Sequence, residues 1–247
     1  MRKTIRKANP VQPVPAQSNL TQPNLAQHRP LLYLITDRRV FLHSPEGAIA
    51  SAEQLQLETI ARAAQAGCQL IQIREKDMGA KTLGEFTRAA IRCARSHGAR
   101  VLVNDRFDVA MVAGADGVHL RASSIPAHKV RASVVRKGLN DFLIGVSTHS
   151  IAEARLAEDG GADFIVCGPV YDTPSKRAFG SPLGLERFAE ICRAVKIPVL
   201  ALGGINLSNY LEPLRCGAAG VAAIGLFTDT GRLEQNIRSI LNSHPSC

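Results

Sequence analysis

The chain has 247 residues, 45% of them hydrophobic and 21% charged, with aromatics at 4% and no Trp. That is the composition of an ordinary globular protein of one large domain or two small ones. No run of eighteen apolar residues lacks a charge or turn signal, which excludes a membrane-spanning helix, and the N-terminus lacks the apolar core of a secretory signal.

The net charge of +9 is unevenly spread. Arg2, Lys3, Arg6, Lys7 and Arg29 stand among residues 1–30 without an acid, so the remaining residues carry 25 bases against 21 acids. A domain that binds duplex nucleic acid would keep its excess on the folded part, so such a partner is not expected. Residues 1–30, rich in Pro, Gln and Asn, read as a disordered basic leader without a core of its own. The six cysteines form no C-x-x-C pair, which suits inert thiols in a reducing cytoplasm rather than a zinc site.

From residue 31 the pattern changes. LLYLIT (31–36) is a short apolar run without alternation, as expected of a strand covered on both faces. Residues 51–66 carry apolar side chains at helical spacing and end at Gly67. Further strands are predicted at 68–75, 100–104, 117–120, 142–147, 164–168, 197–202 and 220–226. Helices are predicted at 80–97, 106–113, 126–137, 150–160, 184–195, 207–216 and 231–242. Four helix-to-strand joins resemble one another, around Gly67, Gly114, Gly161 and Gly217, spaced by 47, 47 and 56 residues, about two strand–helix units each. Eight units within residues 31–247 predict a single α/β domain, the (β/α)8 TIM barrel. A doubly wound sheet would call for a Gly-rich turn after the first strand, and none follows LYLIT.

A barrel forecasts chemistry where strands end and helices begin. Arg74 and Lys76 follow the second strand, with Glu75 between them facing the other way. Lys176, preceded by Thr173 and Ser175, comes from a long loop after the sixth. Three cations from distant parts of the chain on one rim suit an anion such as pyrophosphate. Gly204 and Gly225, ending strands seven and eight, allow backbone amides to approach a phosphate, although a plain turn explains glycine about as well. Asp105, beside Asn104, reads equally as a Mg²⁺ ligand or as a helix N-cap. His149, near Ser147, is the better acid–base candidate, whereas His119, inside an apolar strand, reads as a satisfied core residue.

These stretches together resemble one family, thiamine-phosphate synthase with its thiazole tautomerase relatives. The resemblance runs through LYLITDR (32–38), QIREKD (72–77), VNDRFDVA (103–110), GADGVHL (114–120), IGVSTHS (144–150), GADFIVCGPVYDTPSK (161–176), PLGLE (182–186), IPVLALGGI (197–205) and GAAGVAAIG (217–225). It implies a transferase that joins an aminopyrimidine-methyl pyrophosphate to a thiazole phosphate with loss of pyrophosphate. By the same resemblance Arg74, Lys76 and Lys176 hold pyrophosphate, with Lys176, Ser147 and His149 as the catalytic set. Gln72 and Asn104 seat the pyrimidine, Thr173 and Ser175 line the substrate site, Gly204 and Gly225 hold the thiazole phosphate, and Asp105 binds Mg²⁺. One departure stands out. The family pattern after G-V-H-[LIV] places a second metal-binding Asp four residues on, where this chain has Ser124, following Arg121. The tautomerase relatives also lack that acid and use no metal, and their important His corresponds to His149. Metal-independent tautomerisation of a thiazole carboxylate phosphate, or plain binding of thiazole or thiamine phosphate without turnover, are therefore the alternatives. Small-molecule substrates are the expected partners, with no membrane or nucleic acid, and assembly into a homo-oligomer is left open.

Overall fold

The computed structural model describes residues 25, 30–42, 51–173 and 181–243. Eight parallel strands close into a barrel in sequence order: β1 (Leu31–Ile35), β2 (Leu70–Ile73), β3 (Arg100–Asn104), β4 (Gly117–Leu120), β5 (Leu143–Thr148), β6 (Phe164–Cys167), β7 (Val199–Leu202) and β8 (Gly220–Ala223). Between them run α1 (Ala52–Gln65), α2 (Ala80–Arg95), α3 (Phe107–Ala113), α4 (Ala127–Arg136), α5 (Ile151–Asp159), α6 (Gly184–Ala194) and α7 (Leu211–Arg215), and α8 (Leu233–Leu241) follows β8. Closure is direct, with Leu31–Leu34 of β1 paired in register to Gly220–Ala223 of β8. The (β/α)8 expectation holds.

Two cores result, because successive strand side chains face opposite ways. Inside the barrel, Leu31, Tyr33, Leu70, Leu102, Phe164 and Leu200 fill the space between strands. The alternating set, with Leu32, Ile71, Val101 and Val118 among it, packs outward against the helices. Leu25 also packs on the interior cluster, so barrel contacts reach back into the segment expected to be coreless. The rest of that leader, apart from Pro30, lies outside the described residues. Among the described residues no helix is long and apolar enough to cross a membrane.

The four repeated joins share one conformation. Gly67, Gly114, Gly161 and Gly217 have φ of +106°, +72°, +80° and +100°, the left-handed region in which L side chains are strained. The sequence repeat therefore records a steric requirement met four times.

Two expected elements are shorter than predicted, and one element was not expected. The second strand starts at Leu70 and stops at Ile73; Cys68 and Gln69 belong to the turn, and Gln69 uses its side-chain carbonyl to accept from the Leu32 amide (2.8 Å). The helix expected at 207–216 is only α7. Its missing first turn is an Asn-built loop, in which Asn206 Oδ1 accepts from the Ser208 amide and Asn209 Oδ1 from the Asn206 amide, both at 2.8 Å. Such side-chain bonds compete with helix formation. A 3-10 helix at Arg38–Phe41, which no periodicity announces, is capped by Asp37.

Candidate functional site at the carboxyl mouth of the barrel

The interior rows end in polar residues at one mouth. Counting by twos from buried Leu70, β2 presents Gln72 and then Arg74; β4 presents His119 and then Arg121; β5 presents Ser147. The strand pairings set these beside one another, with Asn104 opposite His119 across β3 and β4.

A hydrogen-bonded chain from four strands underlies the mouth. The Gln72 side-chain amide donates to Tyr33 Oη (3.2 Å), Tyr33 Oη lies 3.4 Å from His119 Nδ1, and His119 Nε2 lies 2.8 Å from Ser147 Oγ. Burial pushes the His119 imidazole down to about 3, with the positive field of Arg74 adding to the effect, so the ring is neutral. The Tyr33 hydroxyl, accepting from Gln72, has its own proton to offer Nδ1, and in the tautomer that this favours the ring carries its proton on Nε2, toward Ser147. The Ser147 hydroxyl is then left to donate toward the mouth. Room for the ring comes from Gly145, where a Cβ would sit 2.9 Å from His119 Nδ1 and 2.5 Å from Phe164 Cζ. His119 is thus a satisfied core residue, as expected, but one whose partner is a candidate site residue.

Arg74 is only part-buried, and its amide donates to the buried Thr36 hydroxyl (2.9 Å). Burial lowers the affinity of its guanidinium for the proton; Asp37 and Glu75 counteract this, while Arg39 and Arg121 reinforce it. The mouth is therefore a mixed field of three arginines and several carboxylates. Glu75 faces away from Arg74, as alternation requires. Its side chain is 1% exposed and held by Arg38, through the amide (3.1 Å) and guanidinium (3.0 Å), and the same guanidinium grips Asp77 (2.8 Å). Arg38 thereby staples the loop that carries Arg74 and exposed Lys76. The sequence offered no signal for this clasp beyond an Arg after the first strand.

Asp105 is not the N-cap of α3; Arg106 holds that position. Asp105 lies at φ +63°, in the left-handed region, where a non-glycine residue is uncommon and signals a local constraint. Its Oδ2 pairs with the Arg121 guanidinium, and its Oδ1 accepts from the Ser124 hydroxyl. Ser124 Oγ in turn accepts from the Arg121 amide (2.7 Å). Ser124 therefore faces Asp105. Among the described residues no group of three or more His, Cys, Asp or Glu could hold a metal.

His149 is exposed, and its ring faces Glu153 (Nδ1 to Oε2, 3.1 Å), which also accepts from the His149 amide (2.7 Å). Glu153 and the N-cap Ser150 form the start of α5, so His149 is tied to a helix end at the rim. Of the two glycines, Gly204 has φ +68°, and a Cβ there would meet Tyr171 Cβ at 2.7 Å; the turn alone accounts for it. Gly225 is different. Its φ is not positive and a Cβ would touch nothing, so neither backbone nor packing demands glycine. It opens a 3-10 helix, Gly225–Phe227, after β8. Thr173 lies part-buried after β6, whereas Ser175 and Lys176 lie outside the described residues. The structure thus brings Gln72, Arg74, Asn104, Asp105 and Ser147 to one mouth, with Gly204 and Gly225 following β7 and β8 at the same end of the barrel. A groove of about 540 Å³ between Tyr210 and Arg232 lies apart from these residues.

Comparison with known proteins places the chain in a family. Residues 32–227 match the family model described as thiamine monophosphate synthase. A relative from Geobacter sulfurreducens is 44% identical over 216 residues, covering 85% of this chain and 92% of its own. A thiamine-phosphate synthase from Roseiflexus sp. (strain RS-1) is 39% identical, over 78% of this chain and 76% of its own. Among solved structures, a thiamine phosphate pyrophosphorylase from Pyrococcus furiosus superposes with a TM-score of 0.69 at 30% identity, over 88% of this chain and all of the other.

Proposed function

The chain belongs to the thiamine monophosphate synthase family, and from that premise we propose that its barrel mouth joins an aminopyrimidine-methyl pyrophosphate to a thiazole phosphate. In this reaction the bond from the pyrimidine methylene to the pyrophosphate oxygen breaks. The thiazole nitrogen supplies the electron pair for the new C–N bond, and pyrophosphate leaves with both electrons of the old one. The chief physical demand is to stabilise the departing anion, and preorganised charge does this best where water is excluded.

One observation carries the reading: Arg74, a part-buried cation, stands at the end of the polar row beginning with Gln72, and its field reaches the neutral His119 beside Ser147. Arg74, Lys76 and Lys176 hold the pyrophosphate in this reading. Gln72 and Asn104 meet the pyrimidine edge, and the Ser147 hydroxyl, with His119 donating to it, offers its proton to the reacting groups. Thr173 and Ser175 are assigned to the substrate by the family resemblance alone. Amides at Gly204 and Gly225 take the thiazole phosphate; at Gly225 the absence of any structural need for glycine favours close approach by a ligand. His149 stays at the rim, its ring committed to Glu153.

The oxygen donors of Asp105 and Ser124 suit Mg²⁺, which prefers oxygen and retains waters, but one carboxylate is too few to cage it without oxygens from pyrophosphate. Bound there, the ion would neutralise charge developing on the leaving group. The replacement of a second acid by Ser124 also favours a second reading, metal-free tautomerisation of a thiazole carboxylate phosphate.

The test offers the protein both thiazole phosphate tautomers, with and without pyrimidine pyrophosphate and Mg²⁺. Thiamine phosphate and equimolar pyrophosphate are the expected products, with Lys176→Ala lowering turnover at least 100-fold. Interconversion of the tautomers without coupling would overturn the synthase reading in favour of the second.

A further inference from the structure

We propose that Arg121 acts as a resident cation on Asp105, so that a divalent ion enters this mouth only together with pyrophosphate. The inference rests on the metal part of the proposed function and concerns how that site is filled.

Both carboxylate oxygens of Asp105 are taken within the protein, one by the Arg121 guanidinium and one by the Ser124 hydroxyl. Ser124 has a single proton, spent on Asp105, and its oxygen accepts from the Arg121 amide. The Ser124 amide closes the turn by donating to the Arg121 carbonyl (2.9 Å). The loop therefore delivers Arg121 and Ser124 to Asp105 as one clipped unit, while Asp105 is held toward them in a left-handed backbone conformation. A metal ion arriving alone must displace the guanidinium, then sit beside it with a single carboxylate for compensation. Like charges at such range repel even when screened by water.

Arg121 is also half-exposed at its side chain (51%), so it is free to swing. Arg121 and Arg74 each follow an interior position of their strands, His119 and Gln72, at the same mouth, and the field of Arg121 reaches Arg74. Pyrophosphate changes the balance. It offers Arg121 oxygens in place of Asp105, geometry a guanidinium matches bidentately, and brings the ion ligands that the protein lacks. Asp105 is then released to the metal in the same event. The exchange breaks and makes only ionic and hydrogen-bonded contacts.

The experiment is equilibrium dialysis with manganese as the probe, with and without inorganic pyrophosphate, on the full chain and on Arg121→Gln, Arg121→Lys and Asp105→Asn. The unsubstituted chain is expected to hold manganese alone only weakly and to retain it firmly when pyrophosphate is present. Arg121→Gln is expected to bind manganese alone at least ten-fold more tightly than the unsubstituted chain, about 1.4 kcal/mol, and to lose part of the pyrophosphate enhancement. Arg121→Lys, which keeps the charge, should stay with the unsubstituted chain, and Asp105→Asn should bind no manganese alone. Far-ultraviolet circular dichroism confirms that each variant is folded. Manganese binding alone with equal affinity to the unsubstituted chain and Arg121→Gln would overturn this inference while leaving the metal reading intact. No bound manganese in any arm, pyrophosphate included, would overturn the metal reading and the inference with it.

Discussion

The Arg38 clasp makes a sharp energetic forecast. The Glu75 side chain is 1% exposed, and Arg38 supplies its only ion pair among the described residues, at 3.0 Å. Arg38→Met removes the counter-charge but keeps much of the side-chain volume and leaves the backbone amide of residue 38 in place. Stranding a buried charge by deleting one partner costs roughly 3–5 kcal/mol. The surviving amide bonds at 3.1 and 3.3 Å place this case near the low end, about 3 kcal/mol. For a domain of this size that is a fall in melting temperature of about 6–12 °C. Glu75→Gln in the same chain removes the stranded charge, so the double variant should recover much of the loss, a coupling of about 2 kcal/mol of the kind adjacent pairs show. The assay is a thermal melt of the four proteins of the cycle, followed by circular dichroism. A drop below 2 °C for Arg38→Met, or no recovery in the double variant, would refute the argument that this pair anchors the loop of Arg74 and Lys76.

Two further predictions concern the polar chain under the mouth. His119, neutral in the fold with a value near 3 against an ordinary 6.5, binds fewer protons folded than unfolded between those limits. Its contribution is therefore fully present above about pH 6.5 and is lost as pH falls toward 3, by up to roughly 1.4 kcal/mol per pH unit. Its ring resonances should stay unchanged from pH 8 to pH 5, and a midpoint near 6.5 would contradict the burial argument. Gly145→Ala forces a methyl to within 2.5 Å of Phe164 and 2.9 Å of His119. Overpacking of this kind costs about 1–3 kcal/mol, read as a lower melting temperature together with reduced turnover because Ser147 loses its aligned donor. An unchanged melt would show that the ring does not need the space.

The barrel was legible because its signals are local and repeated. Buried runs without alternation marked strands, and a glycine requirement at Gly67, Gly114, Gly161 and Gly217 marked the joins. The rim followed from the architecture, and Arg74, Asp105 and Ser147 lie on it. What stayed hidden depends on register between strands far apart in sequence. The chain from Gln72 through Tyr33 and His119 to Ser147 needs four strands at fixed heights, and His119 looked apolar in its setting because three of its four-residue strand are small or aliphatic. Likewise the Arg38 grip on Glu75 spans 37 positions. Asp105 could be read as a cap or a ligand because spacing alone does not say where a carboxylate turns; its left-handed backbone and Arg121 partner decide against the cap.

The central claim is that cations from separate strands surround one departing pyrophosphate. A crystal structure of the protein soaked with pyrophosphate and a thiazole phosphate tests it most directly. Pyrophosphate oxygens are expected within hydrogen-bond distance of Arg74, Lys76 and Lys176, with the thiazole phosphate on the amides of Gly204 and Gly225. Pyrophosphate bound away from Arg74, with the mouth empty, would contradict it.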